Sequence, residues 1–139
     1  MSPLGKKAVS PAELPTGSRR VLIVEDNPDS REPLRFLLER LGHRVDVAAT
    51  GPDGLRMGTT QPHDVAIIDL GLPGMDGFAI ARGLRAAVGR YITLVAYTAW
   101  DDSESRQQAD AAGFDAYLVK PCDLMHLLSW FDPQQHPRA

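Results

Sequence analysis

The chain has very little sulfur chemistry: Cys122 is the single cysteine among 139 residues. One thiol forms no internal disulfide and has no partner cysteines for a metal centre, so it reads as a buried or partly exposed side chain. Long apolar runs are missing too. No stretch suffices to cross a bilayer or to act as a secretory signal, so a soluble, cytoplasmic protein with no membrane partner is expected. Excess positive charge is likewise lacking. The formal net charge of -3 gives no basic footprint for nucleic acid. The histidines His43, His63, His126 and His136 share no ligand spacing and read as surface or packing residues. What remains is one ordinary globular domain, since 139 residues at 43% hydrophobic can build one core but not two.

The first eighteen residues, "MSPLGKKAVSPAELPTGS", hold three prolines and no sustained periodicity, which reads as a flexible tail or linker over 1–18. From residue 19 to 132 the pattern is that of a folded domain, followed by a short tail over 133–139. "RRVLIVEDNP" is a buried strand ending in Glu25 and Asp26. In "NPDSREPLRFLLERLGH", Leu34, Leu37, Leu38 and Leu41 fall at helical spacing and Gly42 supplies a stop. Pro33 predicts a late start or a kink. "HRVDVAAT" is a second strand, and "GPDGLRMGTTQ" a helix weakened by Gly54 and Gly58. "DVAII" leads to Asp69 and a glycine- and proline-rich loop. "GFAIARGLRAAVG" places Ile80, Leu84, Ala87 and Val88 on one helical face, and "YITLVAYTA" is a fourth strand. "DDSESRQQADAAG" is a helix with only alanines on its apolar side, "FDAYLVKP" a fifth strand, and "DLMHLLSWF" a last helix. Asp123 caps that helix, with Leu124, Leu127, Leu128 and Phe131 inward. No stretch is left over for an output domain.

Alternating strands and helices predict an α/β fold, a doubly wound five-stranded parallel sheet with right-handed crossovers; for the strand order 2-1-3-4-5, strands one and three are neighbours at the switch point. Functional groups then gather outside the carboxyl ends of the strands, where strand order reverses. That topology brings Glu25, Asp26 and Asp69 together, with Thr98 and Lys120 on the same rim. Two carboxylates ~4 Å apart repel by ~4 kcal/mol at an effective dielectric near 20, so three in one crevice call for a counter-charge. An all-oxygen site with room for waters fits Mg²⁺. The residues alone leave open a plainer reading, an acidic rim neutralised by Lys120.

Four segments, "VLIVEDN", "DVAIIDLGLPGMDG", "AYTA" and "DAYLVKP", in this order and spacing, resemble the signatures of response-regulator receiver domains of two-component signalling. The resemblance runs from about Arg20 to Phe131 and implies the flavodoxin-like, CheY-like version of the sheet. It implies that Asp69 accepts a phosphoryl group from phosphohistidine on a sensor histidine kinase or a histidine phosphotransfer protein. Asp26 would ligate Mg²⁺ directly, Glu25 through water as a conservative variant, and Gly71 through its backbone carbonyl, with Asp69 completing the protein ligands. Lys120 would pair with the phosphoryl oxygens, Thr98 would move toward them, and Tyr117 would swing inward as part of the switch. The Lys120–Pro121 bond would be cis. The output would leave on the face of the fourth helix, fifth strand and fifth helix. Such a domain is not an enzyme toward outside substrates; it catalyses only its own phosphoryl transfer and autodephosphorylation.

Two positions depart from the commonest pattern. Trp100, two after Thr98, is large, and Gly71, two after Asp69, has no side chain; together they predict an unusual aspartyl-phosphate lifetime. Trp100 is equally readable as an exposed aromatic or a partner contact. Rival functions fit less well. A flavin carrier needs a glycine- and hydroxyl-rich loop after the first strand, where "EDNPDS" is acidic. An aspartate-nucleophile phosphatase wants a second acid where Gly71 stands. The remaining alternative is a phosphorylation-independent docking module with the receiver fold. Cognate kinase and downstream target are not written in the sequence, and it fits both a stand-alone regulator and a receiver from a hybrid kinase.

Overall fold

The four residues Val21 to Val24 are all within 1% of complete burial, which requires cover on both faces of the strand that carries them. A computed structural model describes residues 17–132 and supplies that cover. The expected tail at 133–139, and all but two residues of the leader 1–18, lie outside the described residues. The elements run β1 (Arg20–Val24), α1 (Pro28–Arg40), β2 (Arg44–Ala48), α2 (Gly51–Thr60), β3 (Val65–Ile68) and α3 (Gly77–Val88). They continue through β4 (Thr93–Thr98), α4 (Ser103–Ala112), β5 (Ala116–Val119) and α5 (Leu124–Ser129), with a 3-10 turn at Gly89–Tyr91. All neighbouring strands are parallel, in the order β2-β1-β3-β4-β5.

Because side chains alternate along a strand, each strand feeds two cores. Leu22, Val24, Ala66, Ile68 and Leu94 face Ile80 and Leu84 of α3 and Ala109 and Ala112 of α4. Val21, Ile23, Val65, Ile67 and Val95 face Leu38 of α1, Leu127 and Leu128 of α5, and Phe131 just after it. Each fully buried aliphatic side chain contributes ~1.5–3 kcal/mol, so the central strands β1 and β3 anchor the fold.

Four details differ from the sequence reading. Helix α1 starts at Pro28, with no late start, despite Pro33. Asn27 caps it by accepting from the Asp29 amide at 2.9 Å, and Arg31 donates back to the Glu25 carbonyl at 3.0 Å, so the first turn is fastened independently of Pro33. Leu37 is 38% exposed, at the edge of the groove between α1 and α5. On α3 the inward face is Phe78, Ile80, Ala81 and Leu84, and Ala87 is exposed. Leu124 is only half-buried. The glycines of α2 are contact points: a Cβ on Gly54 would lie 2.7 Å from Val24 Cγ2, and one on Gly58 2.5 Å from Leu84 Cδ2.

At the end of the sheet away from the strand carboxyl ends, Arg85 of α3 ties several segments together. Its guanidinium donates to the carbonyls of Gly89 and Ile92 at 2.7 Å each and of Gly113 at 2.9 Å. It also pairs with Asp115 at 2.6 Å, whose carboxylate accepts the Leu94 amide at 2.8 Å.

Candidate functional site

The strand register continues one residue past β1, β3 and β5, and this places the site. The Glu25 amide donates to the Ala48 carbonyl at 3.0 Å, the Asp69 amide to the Val24 carbonyl at 3.0 Å, and the Lys120 amide to the Thr98 carbonyl at 2.8 Å. Parallel pairing thus carries an acid, an acid and an amine to the same edge, while Asp26 follows Glu25 into the loop. Carboxylate oxygens of Glu25, Asp26 and Asp69 all lie within 4.8 Å of one another. Glu25 is buried, Asp69 half-buried and Asp26 exposed, so the cluster opens from the protein toward solvent.

Lys120 neutralises part of this charge. Its Nζ lies 2.5 Å from Glu25 Oε1 and 3.8 Å from Asp69 Oδ2, so the closer partner is the glutamate. Glu25 Oε2 accepts the Asn27 amide at 3.2 Å, and Asp69 Oδ1 accepts the Gly71 amide at 3.3 Å. The Lys120–Pro121 peptide is cis. Thr98 is 1% exposed, and its hydroxyl oxygen accepts the Trp100 amide at 3.2 Å. Tyr117 donates its hydroxyl to the Trp100 carbonyl at 2.8 Å, beneath the Arg106 guanidinium 4.7 Å from its ring centroid. Burial, then Asp102 nearby, pushes the Tyr117 phenol up from its ordinary value. Trp100 leans over the loop after Asp69: a Cβ on Gly71 would lie 3.1 Å from its indole Cζ2. A side chain at Gly71 would contend with the ring for that space.

Two residues in contact with Lys120 are absent from the sequence reading. Ser30 Oγ is 3.3 Å from Nζ, and the Tyr97 ring centroid is 5.3 Å away. The signal for Ser30 was available: it lies four residues before Leu34 on the inward side of α1, a hydroxyl in line with an apolar stripe. Among the histidines, His43 and His63 are buried and hydrogen-bonded, to the Arg19 amide and to Asp46, and His126 is exposed. His136 lies outside the described residues.

Comparison with known proteins agrees with this geometry. The family model "Response regulator receiver domain" matches residues 21–132, and the chain belongs to that family, the receiver domains of two-component response regulators. It is 37% identical over 109 residues to the transcriptional regulatory protein KdpE of Mycobacterium tuberculosis, a match spanning 78% of this chain and 47% of that protein. The chain thus spans about half the length of that relative. Its fold is similar to a CheY-like receiver domain protein from Methanospirillum hungatei, with TM-score 0.79 and 26% identity, covering 86% of this chain and 94% of that one. It is also similar to the receiver domain of sensor histidine kinase PA1611 from Pseudomonas aeruginosa, with TM-score 0.74 and 32% identity over 83% and 98% of the two chains. That structure has a magnesium ion coordinated in its active-site cleft. No helix among the described residues is long and apolar enough to cross a membrane.

Proposed function

We propose that residues 19–132 form a phosphoacceptor receiver in which Asp69 takes a phosphoryl group from phosphohistidine on a sensor histidine kinase or phosphotransfer protein of the cytoplasm. The observation that carries this reading is the cluster of Glu25, Asp26 and Asp69 within 4.8 Å at the sheet's carboxyl edge, with one ammonium facing it. The donor set fits Mg²⁺: three carboxylates, hard oxygens throughout, one of them solvent-facing. Glu25, Asp26, Asp69 and the Gly71 carbonyl would hold it. When bound, the ion would draw charge from the transferring phosphoryl oxygens.

The chain's own residues do the rest. An Asp69 carboxylate oxygen attacks phosphorus as the bond from phosphorus to the donor imidazole nitrogen breaks, leaving an aspartyl phosphate and a histidine. In such a transfer the protein mainly positions and stabilises. Lys120 approaches as a compact point charge, and the buried Thr98 hydroxyl, whose oxygen accepts the Trp100 amide, has its own proton to donate. Because Trp100 is hydrogen-bonded to both Thr98 and Tyr117, a shift at Thr98 is passed to the aromatic ring and thence to α4 and β5. The surface of α4, β5 and α5 would carry the signal to a downstream protein.

Intact mass after incubation with Mg²⁺ and acetyl phosphate tests the reading. One phosphoryl adduct is expected, dependent on Mg²⁺ and lost in Asp69→Asn. If wild type gives no adduct from acetyl phosphate or any phosphohistidine donor, and no response to beryllofluoride, the domain is a docking module instead.

A further inference from the structure

The ammonium of Lys120 has three protons to place, and the structure accounts for where they go. Glu25 Oε1 takes one at 2.5 Å and Ser30 Oγ is in reach of a second at 3.3 Å, while the Tyr97 ring face lies on a third side at 5.3 Å. Asp69 Oδ2, at 3.8 Å, is beyond hydrogen-bond length. A cavity of about 10 Å³, room for about one water, lies among Glu25, Ser30, Leu34, Asp69 and Tyr97, and the Lys120 side chain is 21% exposed, so these side chains and solvent share the ammonium's surroundings.

We propose that Ser30 is a positioning residue for Lys120: with Glu25, its hydroxyl holds the ammonium on the α1 side of the cleft and keeps it off the Asp69 carboxylate. This rests on the proposed function, in which Asp69 must be open to both metal and phosphorus. Lys120 then has two stations. One is on Glu25 and Ser30 in the resting cleft, the other beside Asp69 once phosphoryl oxygens are present to receive it. Without the Ser30 hydroxyl the first station loses a partner, and the ammonium moves toward Asp69, where it competes with Mg²⁺ for the same oxygens.

The chain contains only three lysines, Lys6, Lys7 and Lys120, so ¹⁵N-lysine NMR reads the ammonium directly in the metal-free protein. In Ser30→Ala the Lys120 ammonium signal is expected to shift and its protons to exchange faster with water, with Ser30→Thr returning both toward wild type. Calorimetric titration with Mg²⁺ is expected to give at least threefold weaker binding in Ser30→Ala, near wild-type binding in Ser30→Thr, and no effect of Ser30→Ala when Lys120 is Met. An unchanged ammonium signal in Ser30→Ala would overturn the inference, as would a loss of Mg²⁺ affinity that persists in Lys120→Met. Failure of wild type to bind Mg²⁺ would instead overturn the proposed function, while the ammonium signal would still decide whether Ser30 holds Lys120.

Discussion

Trp100 is 43% exposed, yet its indole edge is pressed onto the backbone two residues past Asp69. On the proposed reading, a ring in that position would restrict the approach of water to a phosphoryl group on Asp69. Trp100→Ala is therefore expected to shorten the aspartyl-phosphate lifetime several-fold, each tenfold corresponding to ~1.4 kcal/mol of barrier. Loss of ³²P label from the phosphorylated protein measures this, and an unchanged rate would overturn it and leave Trp100 an exposed aromatic or a partner contact. His43 governs a different property. It is 7% exposed, its Nδ1 accepts the Arg19 amide at 3.0 Å, and burial first, then Arg19, pushes its pKa below the ordinary 6.5. The folded ring stays neutral while the unfolded one protonates below pH 6.5. Its contribution is thus complete above that pH and is lost as pH falls, by at most ~1.4 kcal/mol per unit until the folded pKa is passed. Urea unfolding at pH 7 and pH 5.5 should show a smaller difference in His43→Asn, whose side-chain oxygen stands where Nδ1 does and still accepts from Arg19 without taking up a proton.

At the scale of elements, α2 inverts the usual value of glycine. Gly→Ala inside a helix ordinarily stabilises by ~1 kcal/mol. At Gly54 the new methyl would meet both γ-carbons of Val24, at 2.7 and 2.8 Å. A β-branched side chain in a central strand has no free rotamer to yield. Gly54→Ala is expected to lower stability by ~1–3 kcal/mol in chemical denaturation. Gly58→Ala should be milder, because the flexible end of Leu84 is what it meets. These contacts explain why α2 read as a weak helix: propensity registers the missing side chain and is blind to the strand that requires it missing. The strands, by contrast, were legible because parallel strands buried on both faces leave unbroken apolar runs. So were the site's carboxylates, since the apolar runs end where Glu25 and Asp69 begin. The partner of Lys120 was not legible. Glutamate reaches one methylene farther than aspartate, and that reach, with the hydroxyl of Ser30, decides where the ammonium rests. Likewise Leu37 and Ala87 fit a helical stripe by spacing, but the groove and the edge that expose them depend on which helix lies alongside.

For the molecule as a whole, the acid cluster sets stability against function. With Lys120 closer to Glu25, the charge of Asp69 meets its neighbours' repulsion with less compensation. Asp69→Asn is expected to raise the thermal midpoint in Mg²⁺-free buffer by an amount equivalent to ~1 kcal/mol, and to reduce the further rise that Mg²⁺ brings to wild type. Calorimetric scans with and without Mg²⁺ read both effects. An equal or lower midpoint in Asp69→Asn would mean that Lys120 balances the cluster better than the distances indicate.

The far pole of the sheet decides what form a response can take. Arg85 fastens the Gly113 carbonyl and the Asp115 carboxylate where α4 ends and β5 begins, whereas the opposite end of α4 meets the Trp100 loop beside the cleft. A rod fixed at one end cannot slide; it can only pivot. Helix α4, ten residues and ~15 Å long, would then act as a lever with its fulcrum at Gly113, a displacement near Ser103 diminishing along its length. A partner seated across α4 would read an angle rather than a distance.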